Sequence, residues 1–586
     1  MRTLHRLWPY VKKYRAAISA GLACLVAVDV IQLIFPLLMA HAVDALKIRN
    51  LSEVHRALAW LAGLAVLIVA IRYLWRLLLL GASRKIERDL RDDFFRKLLR
   101  APQPFLDGSR SGDLLSLSTN DIAVVRQFLG FGLMSLGDAV VLISFSIFLM
   151  FTLSVPLTLL VAVPLPLITL AMLKLGIRLH DAHEETQNQF GDLSARLQED
   201  LYGVRVIRAY GQEQNRQAAF TGAADAYRRK IMYVTRLQGL FYPLLKVLAG
   251  AATVLVLWFG GLEVIRGRLT LGQFVAFTEY VAMLSWPLMA LGWIINLVQR
   301  ARASMGRLNR VFEVSDAAGG REDLEPAPAF RTLEVRDLTQ DVGFGAAHGD
   351  SSEPFRFDGV RLVLRRGEWV GLAGRTACGK SSLVSRVLRI YEPPAGAIFL
   401  DGVDVTRIDP RALRERISYV PQEGFLFSQS LLSNFKLGSR NIPEESVAQI
   451  ADIVQMKDEI DRFPDRLKSR VGERGITLSG GQRQRVAVGR ALLKDADFYI
   501  FDDPFSCVDL DTEERVFERM KTLLAGRGVL MITHRVQTLA RMDRIVFIDA
   551  GRTVETGTHA ELLARRGMYA RFVEAQELKE RLEAAV

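Results

Sequence analysis

Cysteine is scarce. Cys24, Cys378 and Cys507 are the only three among 586 residues. Three thiols suggest no disulfide framework, and none has metal-ligand spacing. The chain shows no low-complexity tract and no short-period repeat. Residues 1–10 lack the short apolar core and small-residue cleavage site of a secretory leader. They are basic and aromatic instead, which suits an interfacial helix ahead of a first membrane span. Acidic residues are the minority charge, 64 against 76 basic ones, for a net charge of +12. A basic chain can bind nucleic acid. Basic cytoplasmic loops of a membrane protein explain the excess better once spans are placed, so no nucleic-acid partner is expected.

Half of the residues are hydrophobic and mean hydropathy is +0.17, yet 24% are charged. The two facts fit if the apolar residues are concentrated in one half. A helix needs about 20 largely apolar residues to cross a bilayer. Six stretches qualify, at about 16–45, 58–80, 130–153, 156–175, 239–264 and 271–298. Only a very short turn separates the third from the fourth. Between spans two and three lie Arg84, Lys85, Arg88, Arg91, Arg96, Lys97 and Arg100. Between spans four and five lie Arg196, Arg205, Arg208, Arg216, Arg228, Arg229 and Lys230. Positive residues favour the cytoplasmic side. Both segments are therefore expected inside the cell, with the N-terminus and everything after span six. They are long and helix-prone, and read as membrane helices that continue into the cytosol. Residues 1–315 are thus expected to form a transmembrane domain.

A turn-rich linker over 316–329, with Gly319, Gly320, Pro326 and Pro328, ends the membrane half. From Phe330 to residue 586 short β-like runs alternate with amphipathic helices. Runs at 398–400, 417–420, 498–501, 529–533 and 545–548 read as buried strands of an α/β domain. Within it, Gly374-Arg375-Thr376-Ala377-Cys378-Gly379-Lys380-Ser381 fits G-x-x-x-x-G-K-[ST]. A strand-like run at 369–373 precedes it, and a helix-like run beginning at Ser382 follows. That context is what a phosphate-binding loop requires: backbone N–H groups wrap the phosphates and a helix N-terminus faces them. Lys380 would neutralise the β- and γ-phosphates of ATP, and the Ser381 hydroxyl would bind Mg²⁺. Asp502 ends the apolar run 498–501 and is the expected ligand of a Mg²⁺-bound water.

Leu478-Ser479-Gly480-Gly481-Gln482 stands immediately before a helix-like run, 483–492. Two glycines permit close backbone approach, and a helix start again faces an anion. This second phosphate-binding element resembles the signature motif of ABC ATPases. In that family the signature of one nucleotide-binding domain closes over ATP held by another. Further elements are similar. Gln422, in Tyr419-Val420-Pro421-Gln422, resembles the Q-loop glutamine that senses Mg²⁺. His534, in Ile532-Thr533-His534-Arg535, resembles the switch histidine at the γ-phosphate. Ser506-Cys507-Val508-Asp509 resembles the D-loop, and the run from Arg470 to Gly475 the X-loop of exporters. In the membrane half, 105–114 with Thr119-Asn120-Asp121 resembles the first coupling-helix region of type IV exporters, and 203–211 the approach to the second. The resemblance covers nearly the whole chain and is similar to halves of bacterial heterodimeric multidrug exporters. It implies an α-helical six-span transmembrane domain fused to an α/β P-loop ATPase domain. The protein would lie in a bacterial inner membrane, pair with a second half-transporter, and move a small amphipathic substrate.

The sequence departs from the family at two points. Active members follow the aspartate at the end of the strand with glutamate, which polarises the attacking water. Here that position is Asp503, one methylene shorter. A misplacement of about 1 Å can cost on the order of 100-fold in rate. The resemblance therefore implies normal ATP binding, poor hydrolysis at this site, and an intact signature offered to a partner. A homodimeric lipid flippase or drug exporter with slow turnover through Asp503 is the alternative. Second, Val342 stands where the nucleotide-stacking aromatic is usual, and Phe344 could substitute. Ionisable groups also fall within the spans: Asp29 with Gln32, Arg72, Asp138, Lys246 and Glu279. Such groups line a wet cavity or pair between helices. Cys378 sits beside Lys380 near a helix start, which favours a reactive thiolate; otherwise it is a small residue that fits the loop.

Overall fold

The computed structural model describes residues 2–316, 330–342, 355–438, 441–472 and 478–584. The Gly/Pro-rich linker, Phe344 and Glu473 to Gly475 lie outside these residues, as does the side chain of Lys246. The chain forms two compact units, one of Met1–Leu99 with Gly112–Glu313, the other of Arg100–Ser111 with Val314–Val586.

The first unit is helical. Among the described residues, four helices are long and apolar enough to cross a membrane: Arg15–Lys47, Leu51–Arg100, Ser111–Leu153 and Leu271–Glu313. The expected fourth span is covered by helices Val155–Val161 and Pro164–Tyr202, and the fifth by Glu213–Leu255 running on through Ile265. Leu51–Arg100 has 50 residues, or roughly 75 Å at about 1.5 Å per residue, far more than a bilayer needs. Ser154 is the short turn between the third and fourth spans. Its extended backbone ends one helix, and its hydroxyl accepts the N–H of Leu157 to start the next, with Pro156 in the first turn. Pro36, Pro243 and Pro287 lie inside helices that continue past them.

Helices in lipid gain little from the hydrophobic effect between themselves, so close packing and polar ties hold them. At one end, Asp44 accepts from the Thr270 hydroxyl at 2.6 Å and the Gly272 N–H at 2.8 Å. Gly272 lies so close to the Ala40 carbonyl that a Cβ would collide with it. Midway, the buried Tyr280 hydroxyl donates to the Leu33 carbonyl at 2.8 Å. At the other end, buried Asp121 accepts from Ser304 at 2.6 Å and from Arg307. Glu87 takes ion pairs from Arg84, Arg91 and Arg126. Tyr10 donates to Asp93 and Tyr14 to Asp89, so the basic N-terminal segment is tied to the second long helix.

Among its described residues the second unit carries ten strands in two sheets. β1 (Thr332–Val342), β2 (Phe355–Arg365), β4 (Ile398–Leu400) and β5 (Val403–Asp404) form an antiparallel sheet of order β2-β1-β4-β5. The other sheet has the order β10-β9-β3-β8-β7-β6. Here β3 is Trp369–Gly374, β6 Ile417–Val420, β7 Phe498–Asp502, β8 Gly528–Ile532, β9 Arg544–Asp549 and β10 Arg552–Gly557. β3 runs parallel to both β8 and β9, and β7 parallel to β6 and β8. Every residue of β3, β7 and β8 is buried. Strands covered on both faces read as unbroken apolar runs rather than alternating ones, which is why these were visible in the sequence. Their inner neighbours form two cores, one around Phe501, Val529 and Phe547 and the other around Leu372, Ile500 and Ile532.

Asp121→Ala removes the acceptor of buried Ser304 and of Arg307. The loss is expected to cost about 1–3 kcal/mol, seen as a lower Tm of the full chain in detergent. An unchanged Tm would show that this tie is dispensable.

Candidate nucleotide site

The site gathers at the C-terminal ends of the parallel strands, where open α/β sheets bind ligands. β3 ends at Gly374, which packs so close to the Ile548 carbonyl of β9 that a Cβ would overlap it. The chain then turns through Ala377 and Gly379, whose φ values are 64° and 99°. Gly379 takes this left-handed conformation against Phe355 and Phe357, where a Cβ would come within 2.6 Å of a ring. Helix Lys380–Val387 follows. Arg375, Thr376, Ala377 and Ser381 are exposed, Ser382 is half-buried, and Cys378 is buried.

Lys380 is 7% exposed. Its ammonium donates to the carbonyls of Gly374 at 2.9 Å and Arg375 at 2.8 Å. The loop thus holds the lysine in place through its own backbone. Ser381 hydrogen-bonds the Asp502 carboxylate. Asp502 and Ile532 are partners across β7 and β8, which brings the following residues, Asp503 and Thr533-His534, side by side. The Asp503 N–H closes the corner by donating to the Ile532 carbonyl at 2.9 Å, and Asp503 itself has φ 47°. Burial pushes the carboxyls of Asp502 and Asp503 up from the ordinary carboxylate range; Lys380 opposes both shifts, Ser381 the first and Arg535 the second. Burial lowers the His534 imidazole, and Lys380 adds to that. At neutral pH His534 is therefore uncharged, with one ring nitrogen free to accept.

Ser479 to Gln482 form a second cluster. Ser479 caps helix Gly480–Leu492, its hydroxyl accepting the Gln482 N–H at 3.2 Å while the Gln482 side chain accepts the Ser479 N–H at 2.9 Å. Gly480 packs on the Cys507 side chain, and a Cβ on Gly481 would press within 2.6 Å of the Cys507 carbonyl. Gln422 has an exposed side chain; its backbone carbonyl accepts from Gln484.

Two groups escaped the sequence reading. Gln484 is buried, donates to Ser506 and accepts the Cys507 N–H at 2.9 Å, so it ties the signature helix to the loop after Asp503. It shares a buried helix face with Ala487, Val488 and Ala491; this i, i+3, i+4, i+7 spacing was the available signal. Arg535 donates to buried Glu513 and to the Val508 carbonyl at 2.9 Å, linking the histidine loop to the same segment. No local pattern marked that pair.

The structure corrects the expected thiolate at Cys378. The sulfur lies 3.7 Å from the Lys380 ammonium, yet burial raises the thiol above its ordinary value despite the lysine. Desolvation outweighs the nearby charge. Val342 is buried opposite Phe355 in the β1–β2 ladder, inside the core. Within the first unit, Asp29, Gln32, Arg72 and Asp138 line one cavity. Glu279 is exposed and is not among its lining residues.

The loop fits a nucleotide triphosphate: the glycines bring backbone close, and the lysine is already buried among acceptors. No group of three or more His, Cys, Asp or Glu side chains able to hold a metal occurs among the described residues. Ser381 beside Asp502 suits Mg²⁺ instead, which is usually bound through one or two protein oxygens plus phosphates.

This constellation is that of an ABC-type ATPase carried on the same chain as a helical membrane domain. A family profile described as the ABC transporter transmembrane region matches residues 18–288, and one described as ABC transporter matches 357–506. The chain is 33% identical to the Bacillus subtilis probable multidrug resistance ABC transporter ATP-binding/permease protein YheI, over 98% of each. It is 31% identical to the Escherichia coli multidrug resistance-like ATP-binding protein MdlA, over 99% of this chain and 97% of that one. To the ATP-dependent lipid A-core flippase of Syntrophus aciditrophicus it is 28% identical, over 97% and 94%. The structure of a bacterial Atm1-family ABC exporter with ATP bound shares the fold, with a TM-score of 0.79, 23% identity, and 96% and 99% of the two chains covered. The chain belongs to the ABC transporter family: a multi-pass membrane protein with its own ATP-binding domain.

Because burial raises its pKa, Cys378 should react slowly with a neutral-pH alkylating reagent, and exposed Cys507 faster. Timed labelling of the nucleotide-free chain, read by peptide mass spectrometry, checks this. Equal rates would contradict the buried thiol.

Proposed function

We propose that this chain is the ATP-binding and permease subunit of an exporter for small amphipathic molecules in a bacterial inner membrane. In this reading it is the weakly hydrolysing half of a heterodimer. The observation that carries it is Asp503. A carboxylate one methylene short of glutamate holds the position next to Asp502, and its charged form is disfavoured by burial. Bound Mg-ATP would supply the phosphoanhydride to be cleaved. The chain's residues would do the rest as follows. Backbone N–H groups from Arg375 to Lys380 would surround the phosphates, and the Lys380 ammonium, now on the Gly374 and Arg375 carbonyls, would meet phosphate oxygens. Ser381, Asp502 and Gln422 would hold the metal and its water. Neutral His534 contacts the terminal phosphate. Asp503 reaches the attacking water poorly. Ser479, Gly480 and Gly481 meet ATP on the partner, where most turnover would occur. The relatives named for multidrug resistance and for lipid A-core flipping support an amphipathic cargo of one kind or the other.

Asp503→Glu is expected to raise basal ATPase by roughly 10- to 100-fold, and Lys380→Ala to weaken ATP binding here. Gly480→Asp should stop hydrolysis while leaving nucleotide binding largely intact. Steady-state phosphate release and equilibrium nucleotide binding on the purified full chain, with and without its partner, decide these. Vigorous ATPase by the chain alone as a homodimer would overturn the weak-site reading and favour a homodimeric exporter using Asp503.

A further inference from the structure

A cavity in the first unit is lined by ionisable side chains from three helices. It has a volume of about 370 Å³. Asp29 reaches it from the first long helix, Arg72 and Arg76 from the second, and Asp138 from the third. Asp29 is 1% exposed, and its Oδ2 atom has no hydrogen-bond partner. The Asp138 carboxyl lies against it, with Arg72 close by. A buried acceptor left without a donor is costly, and a carboxyl group at membrane depth is expensive. Side chains that merely hold helices together would be expected to satisfy each other. Asp29 bonds Asp138 yet keeps its Oδ2 atom without a partner, and it lines the cavity.

The missing partner must bring an N–H or O–H donor. Two acidic and two guanidinium side chains line the cavity, so it offers groups to both signs of charge. A ligand that added only positive charge would unbalance it. A ligand with an ammonium for Asp29 and an anionic group for the arginines would not. Apart from Gln32 and Ser135 the remaining wall is apolar and aromatic, with Trp75, Phe131, Met134 and Trp286; such a wall suits a hydrocarbon body. The guanidinium carbon of Arg76 lies 5.6 Å from the Trp75 ring centroid, which places cationic and apolar surface side by side.

The geometry points to a substrate subsite for a zwitterionic amphiphile: its N–H-bearing ammonium donates to Asp29, and its anionic group faces Arg72 and Arg76. This rests on the exporter reading above and narrows its cargo. No covalent step is involved.

The probes are three single-chain amphiphiles of equal tail length: lysophosphatidylethanolamine, lysophosphatidylcholine and an alkylamine. The quaternary ammonium of the second carries no N–H, and the third carries no anion. The full chain in nanodiscs is titrated with each, following intrinsic tryptophan fluorescence. Wild type should bind the first at least about 10-fold more tightly than either other, the discrimination expected when a site's buried polar group is left unpaired. Asp29→Asn should erase that preference, and Arg76→Gln should weaken the first probe while sparing the alkylamine. ATP binding by each variant controls for folding. Equal affinity for the two phospholipids, an alkylamine binding as well as the first probe, or a preference that survives Asp29→Asn would each overturn the subsite. Transport is read separately in proteoliposomes. ATP-driven movement of any amphiphile that ignores Asp29→Asn leaves the exporter reading standing and removes this one. Preferential binding with no ATP-driven movement of any amphiphile overturns the exporter reading instead.

Discussion

The burial of β3 between β8 and β9 decides where every other part of the nucleotide site can be. A strand covered on both faces cannot shift its register without exposing apolar surface. Its last residue, Gly374, is pressed against Ile548. The next residues must therefore leave the sheet in a tight loop, and Lys380 begins a helix whose start faces the space above the strand ends. β8 is fixed beside β3, and β7 beside β8, by the same burial, so Asp502 and Ile532 end level with each other. Asp503 and Thr533-His534 follow as the first residues past the edge. The site is thus a consequence of strand ends held level by a packed core.

The signature cluster obeys a different constraint. Ser479 and Gln482 are occupied in capping their own helix, which orients that helix's first N–H groups outward. A Cβ on Gly481 would collide with the Cys507 carbonyl, whereas one on Gly480 would only touch the Cys507 side chain. Gln484 and Arg535 both reach the segment Ser506 to Val508. A displacement of that segment would be felt at the signature helix and beside Asp503 together. It is the element through which the two clusters share a mechanical state.

Much of this was legible in the sequence because the relevant patterns are local. A glycine-rich loop between a buried strand and a helix announces itself, and so does a run such as Phe498 to Asp502. Membrane spans are legible for the same reason, since about 20 apolar residues in a row mean little else. What the sequence hid depended on which residues meet across the fold. The thiol pKa of Cys378 was misjudged because the neighbouring charge is visible in the sequence and the burial is not. The pairing of Arg535 with Glu513, 22 residues apart, leaves no periodic trace. Asp29 and Asp138 lie on separate helices, and only packing brings them to one cavity.

The short helix Gln103–Asp107 belongs by its packing to the unit that holds the strands, although more than 200 residues of chain lie between them. Asp107 accepts from the Tyr391 hydroxyl, and Tyr391 lies under the guanidinium of Arg386, on the helix that Lys380 begins. The folding unit and the contiguous gene segment are therefore not the same object. A fragment cut at the linker would leave Tyr391 bare and lack a piece of its own surface. Its nucleotide affinity would be that of an incomplete body, so thermodynamic values measured on such a fragment would not transfer to the intact chain.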